Sequence, residues 1–151
     1  MLIDMLRFVN VLCAGILAGE EFVIRYGVRA PVATLDERPH IQLRQALIRT
    51  LRVLVPIVFG STILSGIAVT LLGGSSLEFY LRCAGLFALL SFISITLAGT
   101  VPINAAILTW NVASPPREWR AMVERWERLD TARTWAAMSA FCLFLAAIVL
   151  Q

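Results

Sequence analysis

The stretch FYLRCAGLFALLSFISITLAGTVPINAAILTW, Phe79 to Trp110, decides the fold. It is apolar along most of its length and exceeds the roughly 20 residues that a helix needs to cross a bilayer. Only near its end do Pro102 and Asn104 interrupt it, within Gly99-Thr100-Val101-Pro102-Ile103-Asn104. A helix in lipid must satisfy its own backbone, and Pro102 has no N–H to donate. Such a break is tolerated where a neighbouring helix, a side chain or water takes up the freed carbonyl, so it directs the search for function to Asn104.

The rest of the chain has the same character. It is 59% hydrophobic and 15% charged over 151 residues, with a mean hydropathy of +0.81, too apolar for an ordinary soluble domain. Segments at about residues 5–24, 53–72, 81–104 and 134–150 are each long enough to span a bilayer. The expected fold is all-α: a single-domain (1–151) integral membrane four-helix bundle, with helices two and four extended into the cytoplasm. The first segment opens with Asp4 and Arg7 and carries Glu20 and Glu21 where a signal cleavage site would lie, so it is expected to be a retained span.

All thirteen basic residues are arginine, and eleven lie in or beside the first and third connections; the exceptions are Arg7 and Arg82. The positive-inside rule places those two long connections in the cytoplasm and both termini outside, in a bacterial-type inner or plasma membrane. The arginines alternate with Asp and Glu next to the membrane, so lipid headgroups rather than nucleic acid are the expected partner. Cys13, Cys83 and Cys142 are far apart, odd in number and without C-x-x-C spacing, as expected of buried structural thiols. His40 is the only histidine, expected in a loop after Pro39. No metal site is expected, although a carboxylate-rich one using Glu20 or Asp130 stays open.

The Gly/Ser-rich link from Gly73 to Arg82 makes helices two and three an antiparallel hairpin. In the first long connection Ile41, Leu43, Leu47, Ile48 and Leu51 alternate with Gln42, Arg44, Gln45, Arg49 and Arg52. That periodicity starts helix two near His40, with a kink expected at Pro56. In the second, Ser114-Pro115-Pro116 reads as a stop followed by a start, with Ser114 or Pro115 near the cap. Beyond Glu118, Trp119, Val123, Trp126, Asp130 and Arg133 recur at spacings of three and four on one helical stripe, opposite Arg120, Glu124 and Arg128. Gly15 and Gly19 form a GxxxG pattern, and Gly60, Ser61, Ser65 and Gly66 are small. Close helix approach is expected there, with homo-oligomers as a possible use.

At 1.5 Å per residue, Glu20 and Glu21 lie about 22 Å beyond Met5, and Asn104 about 36 Å beyond Tyr80. These positions share one end of the bundle with Gln45, Arg49, Arg52, Trp126, Asp130 and Arg133. Ionisable residues at the edge of membrane spans usually face the interior and mark function. One of Glu20 and Glu21 is expected to point inward, the other turning about 100° toward the interface or Arg25. Glu20, the sharper candidate, is either a general base or proton relay, or a register-fixing salt bridge to Arg49 or Arg133. Asn104 either binds a ligand or satisfies the carbonyl freed by Pro102. Trp110 and Trp135 read as an interfacial belt. Trp119 and Trp126 could wall a pocket for a flat aromatic ligand. The absence of G-x-S-x-G, H-E-x-x-H, a phosphate loop or a Rossmann fingerprint removes several enzyme classes.

Val101-Pro102-Ile103-Asn104 followed by Arg125-Trp126-Glu127-Arg128-Leu129-Asp130-Thr131-Ala132-Arg133 resembles the V-P-x-N and R-W-x-x-x-H-x-x-R signatures of the anthrone oxygenase family of small four-helix membrane proteins. The resemblance implies oxidation of an anthrone methylene to a quinone by molecular oxygen, with no cofactor, on a hydrophobic aromatic substrate at the cytoplasmic membrane interface. Hydrophobic polyketides partition into membranes, which suits a site there. Asn104 and Arg133 would then orient the substrate oxygen, with Trp126 stacking on or walling the site. Asp130 stands where the family pattern has histidine, so Asp130 or Glu20 would serve as base. The candidate catalytic residues are thus Asp130, Glu20, Asn104 and Arg133, and the candidate substrate contacts Trp126, Trp119, Gln45 and Arg49. The partner expected is a hydrophobic small molecule or lipid. The competing reading is a non-catalytic membrane scaffold or accessory subunit.

Overall fold

A computed structural model describes residues 1–73 and 77–150; most of the Gly/Ser turn expected after Gly73 lies outside them. The described residues form four helices, α1 (Leu2–Ala33), α2 (Glu37–Leu72), α3 (Leu77–Thr109) and α4 (Trp119–Val149), each long and apolar enough to cross a membrane. At 1.5 Å per residue they run about 46 to 54 Å, well beyond a hydrocarbon core of about 30 Å. All four therefore overrun the expected spans, α1 and α3 included, which the sequence reading ended near residues 24 and 104.

Pro102 does not end its helix, because the backbone absorbs it. Residues Thr96–Thr100 form a π-helical turn in which the Val101 N–H reaches back five residues to the Thr96 carbonyl, and α-helix resumes through Thr109. In α1 the stretch Val23–Val28 does the same, with the Arg29 N–H bonded to the Ile24 carbonyl, three residues ahead of Pro31. A proline removes one i→i−4 rung, and a π turn just upstream re-spaces the ladder around the loss. Pro39 needs no such device. It is the third residue of α2, where no intrahelical N–H bond is made. Hence His40 sits within the first helical turn, its N–H bonded to the Asp36 carbonyl at 2.9 Å, and not in a loop. The helix continues through Pro56.

The start of α4 also differs from expectation. Asn111 builds a turn of its own, accepting the Ala113 N–H on Oδ1 at 2.9 Å and the Ser114 N–H on its carbonyl at 3.1 Å. Ser114 therefore caps nothing. Both prolines precede the helix, which begins at Trp119 after its N–H bonds the Pro116 carbonyl at 3.1 Å.

Two apolar clusters hold the bundle. Ala14, Leu17, Leu89, Phe92, Ala137, Ala140 and Phe144 pack at the end near the termini. Ile41, Ile48, Ile103, Ile107, Trp110, Trp119 and Val123 pack at the arginine-rich end. Trp110 is thus a core residue rather than part of a belt, while Trp135 is exposed. Close approach is used inside the monomer: a Cβ on Gly85 would lie 2.9 Å from the Phe144 ring, and one on Gly15 3.2 Å from Phe141. Gly19, its partner in the GxxxG pattern, faces outward and meets nothing within 4 Å.

Candidate functional site

The helix phases leave a gap between the two clusters. On α4, Trp119 and Val123 belong to one cluster and Ala137, Ala140 and Phe144 to the other. The turns between them carry Trp126, Glu127, Asp130 and Arg133, which line a cavity of about 190 Å³. To its wall α1 contributes Glu20, Glu21, Ile24 and Val28, α2 contributes Arg44, Leu47, Ile48, Leu51 and Val55, and α3 contributes Thr96, Thr100 and Asn104. Both π turns thus face into it.

Arg133 organises the polar wall. It is buried, it donates from Nη2 to Glu21 Oε1 and from Nη1 to the Thr100 hydroxyl at 3.4 Å, and its guanidinium lies 4.7 Å over the Phe92 ring. Glu21, 2% exposed, is placed by phase: Asn10, Ala14, Leu17 and Glu21 recur at four, three and four residues on the buried face of α1. The register-fixing bridge expected of Glu20 is therefore made by Glu21. Glu20 does not turn away either, because the cavity subtends a wide enough angle to take both side chains. Arg25 bonds the Thr131 hydroxyl. Asp130 is buried and sits in the field of Arg133, Arg25 and Arg44.

Two wall residues escaped the sequence reading. Arg44 stacks over the Trp126 ring at 4.8 Å and lies 3.6 Å from Glu127, whose other oxygen pairs with Arg29 at 2.6 Å. Their signals were phase alone: Arg44 is four residues before Ile48, and Glu127 three before Asp130.

Four expected site residues reach the cavity, namely Glu20, Asn104, Asp130 and Arg133, together with Trp126. Three do not. The Gln45 amide donates to the Ile107 and Trp110 carbonyls at 2.9 and 3.1 Å, closing the end of α3. Trp119 donates from Nε1 to Glu37 at 3.0 Å and meets His40 edge-on. Arg49 is exposed.

Buried polar atoms with no hydrogen-bond partner collect around this space: Glu20 Oε2, Glu21 Oε2, Asn104 Oδ1 and Trp126 Nε1. Arg44 Nε and Arg133 Nε on the same wall are also without a partner, and buried polar groups are normally satisfied, so this wall offers both donors and acceptors to the space. Asn104 Oδ1, an acceptor without a partner, is one of the groups on this wall. Among the described residues no three His, Cys, Asp or Glu side chains converge as metal ligands.

No curated protein and no solved structure matches the chain. The family match starts at Gln45 and takes in Asn104, Trp126, Asp130 and Arg133, while Glu20 and Glu21 precede it. Because the family model described as anthrone oxygenase matches residues 45–143, more than half of its length, the chain belongs to the anthrone oxygenase family.

Proposed function

We propose that this membrane protein oxidises the activated methylene of an anthrone-type aromatic with molecular oxygen, the substrate itself supplying the electrons and no cofactor taking part. The observation that carries the reading is the set of unpartnered acceptors and N–H groups on the wall of one cavity between the helices. A methylene between two rings and conjugated to a ketone gives up a proton to a positioned carboxylate. Glu20 takes that role, because Oε2 is free while Glu21 is held by Arg133. The resulting anion places its charge on the ketone oxygen, where Trp126 Nε1–H and the Arg133 guanidinium stabilise it. Asn104 Oδ1 accepts a ring hydroxyl. Asp130, in the histidine position, balances Arg133, Arg25 and Arg44 and is not the base.

The anion passes one electron to oxygen, and the radical pair combines to a carbon-bound peroxide. Loss of the second C–H proton with O–O cleavage leaves a carbonyl and releases water. The methylene gives up four electrons, and each oxygen atom has one destination. By the arginine asymmetry the cavity lies at the cytoplasmic end. A scaffold or accessory subunit would need that end plugged, whereas space remains beside the Arg133–Glu21 pair.

Oxygen uptake by the purified protein with an anthrone tests the reading. Glu20→Gln is expected to lower kcat by about 100-fold or more, the usual worth of a general base. Asn104→Ala is expected mainly to raise KM. Wild-type uptake no faster than the uncatalysed reaction overturns the proposal for that substrate.

A further inference from the structure

The seam between α2 and α3 is interrupted. Along it α2 packs on Leu77–Ile95 and on Val101–Thr109 but hardly touches the π turn Thr96–Thr100 between them. At that level the cavity wall consists of Val55 and Pro56 on α2 and Thr96 and Val101 on α3. Val101 is 45% exposed although it lines the cavity, and Pro56 is exposed as well. The wall therefore has an outer face here, ringed by Leu97 and Ile57, which are both more than 60% exposed.

Pro56 lies sixteen residues from the Leu72 end of α2, about 24 Å, within the roughly 30 Å of a hydrocarbon core. The other approach, from the arginine-rich end, crosses Glu127 ion-paired with Arg29 and Arg44, which links α1, α2 and α4 over the cavity. An uncharged aromatic solute gains free energy in the apolar seam and would have to pass the desolvated ion pairs on the other side.

We propose that the gap beside the π turn of α3 is a lateral window through which a bilayer-dissolved, uncharged aromatic molecule reaches the cavity. This rests on the reading of the cavity as a ligand site. The window follows from backbone geometry: the π turn swings Thr96–Thr100 off α2 without leaving an unsatisfied backbone in lipid, as irregular helix inside a bilayer must.

The test uses the full-length protein in phosphatidylcholine vesicles with 9,10-dibromoanthracene as a bilayer-confined quencher and iodide as an aqueous one. The Trp126 emission is obtained as the difference between Trp135→Phe and Trp126→Phe/Trp135→Phe. Dibromoanthracene is expected to quench it at least twofold, iodide hardly at all. Adding Val55→Phe/Val101→Phe narrows the window and is expected to cut dibromoanthracene quenching at least threefold. If the double substitution lowers the melting temperature, Val101→Phe alone takes its place. Equal quenching with and without the added rings overturns the window, as does quenching by iodide but not by dibromoanthracene. Because no turnover is measured, a protein quenched through the window yet inert toward anthrones keeps the window and loses the oxygenase reading.

Discussion

Removing both partners of the Arg133–Glu21 pair should cost well under the sum of the two single removals. The two side chains are 9% and 3% exposed, so neither keeps its water on folding. At an effective dielectric constant of 20, two unit charges 4 Å apart attract by about 4 kcal/mol. Leaving one such charge buried alone typically costs about 3 to 5 kcal/mol. Glu21→Gln leaves the guanidinium without its carboxylate partner, held by the Thr100 hydroxyl and the Phe92 face in the weaker field of Asp130. Arg133→Met strands the carboxylate and also gives up that ring contact, worth up to about 2 kcal/mol when desolvated. Each single variant should lose about 3 to 5 kcal/mol, and Glu21→Gln/Arg133→Met should lose at least about 2 kcal/mol less than the sum. Reversible unfolding in mixed micelles, followed by circular dichroism, supplies the four free energies of the cycle. Additive losses, or single losses under about 1 kcal/mol, would refute the claim that this pair is dry and mutually dependent.

Gly85→Ala should destabilise by about 1 to 3 kcal/mol, since its new methyl meets the confined Phe144 ring at 2.9 Å, whereas Gly19→Ala should be neutral or gain up to about 1 kcal/mol; thermal melting of the two variants separates them, and equal losses would contradict the packing. Gln45→Ala opens two carbonyls at the end of α3 and should cost about 1 to 3 kcal/mol with kcat for the folded fraction retained, measured as melting temperature beside oxygen uptake. Trp126→Phe should do the reverse, because Nε1 has no protein partner to lose: stability should change by less than about 1.5 kcal/mol while kcat falls about tenfold, as loss of an N–H that stabilises the developing oxyanion requires.

Much of the site was legible because α-helical phase is rigid. The stripe Trp119, Val123, Trp126, Asp130 and Arg133 follows from spacing alone, and in the structure it faces inward, with Arg120, Glu124 and Arg128 exposed. The choice between Glu20 and Glu21 was legible too, in the phase of Asn10, Ala14 and Leu17, but depth outweighed phase in that reading. Other misses needed information no single helix contains. Gln45 and Arg49 lie four apart on α2, and only the endpoint of α3 decides that one is buried against carbonyls and the other left in the open. Trp110 read as a ring at a boundary and Trp119 as a pocket wall, yet both pack against neighbouring helices in the cluster at the arginine-rich end. The π turns left no compositional mark beyond the prolines that follow them.

Those turns explain why the cavity lies where it does. Two straight helices crossing at this level would interdigitate, as α3 and α4 do around Gly85 and Phe144. A π turn adds a residue to one turn, widens it and shifts the phase of everything beyond, so ridges that meshed before it no longer mesh after it. In α1 and α3 the shift occurs just past Glu21 and just before Asn104, on opposing walls of the same space. Each polar group is thereby aimed inward by one segment while the next segment is displaced enough to leave room in front of it. Pro31 and Pro102 then act less as breaks than as anchors for this geometry, since reverting either turn to regular α-helix would put a missing N–H back opposite the Gly27 or Ala98 carbonyl.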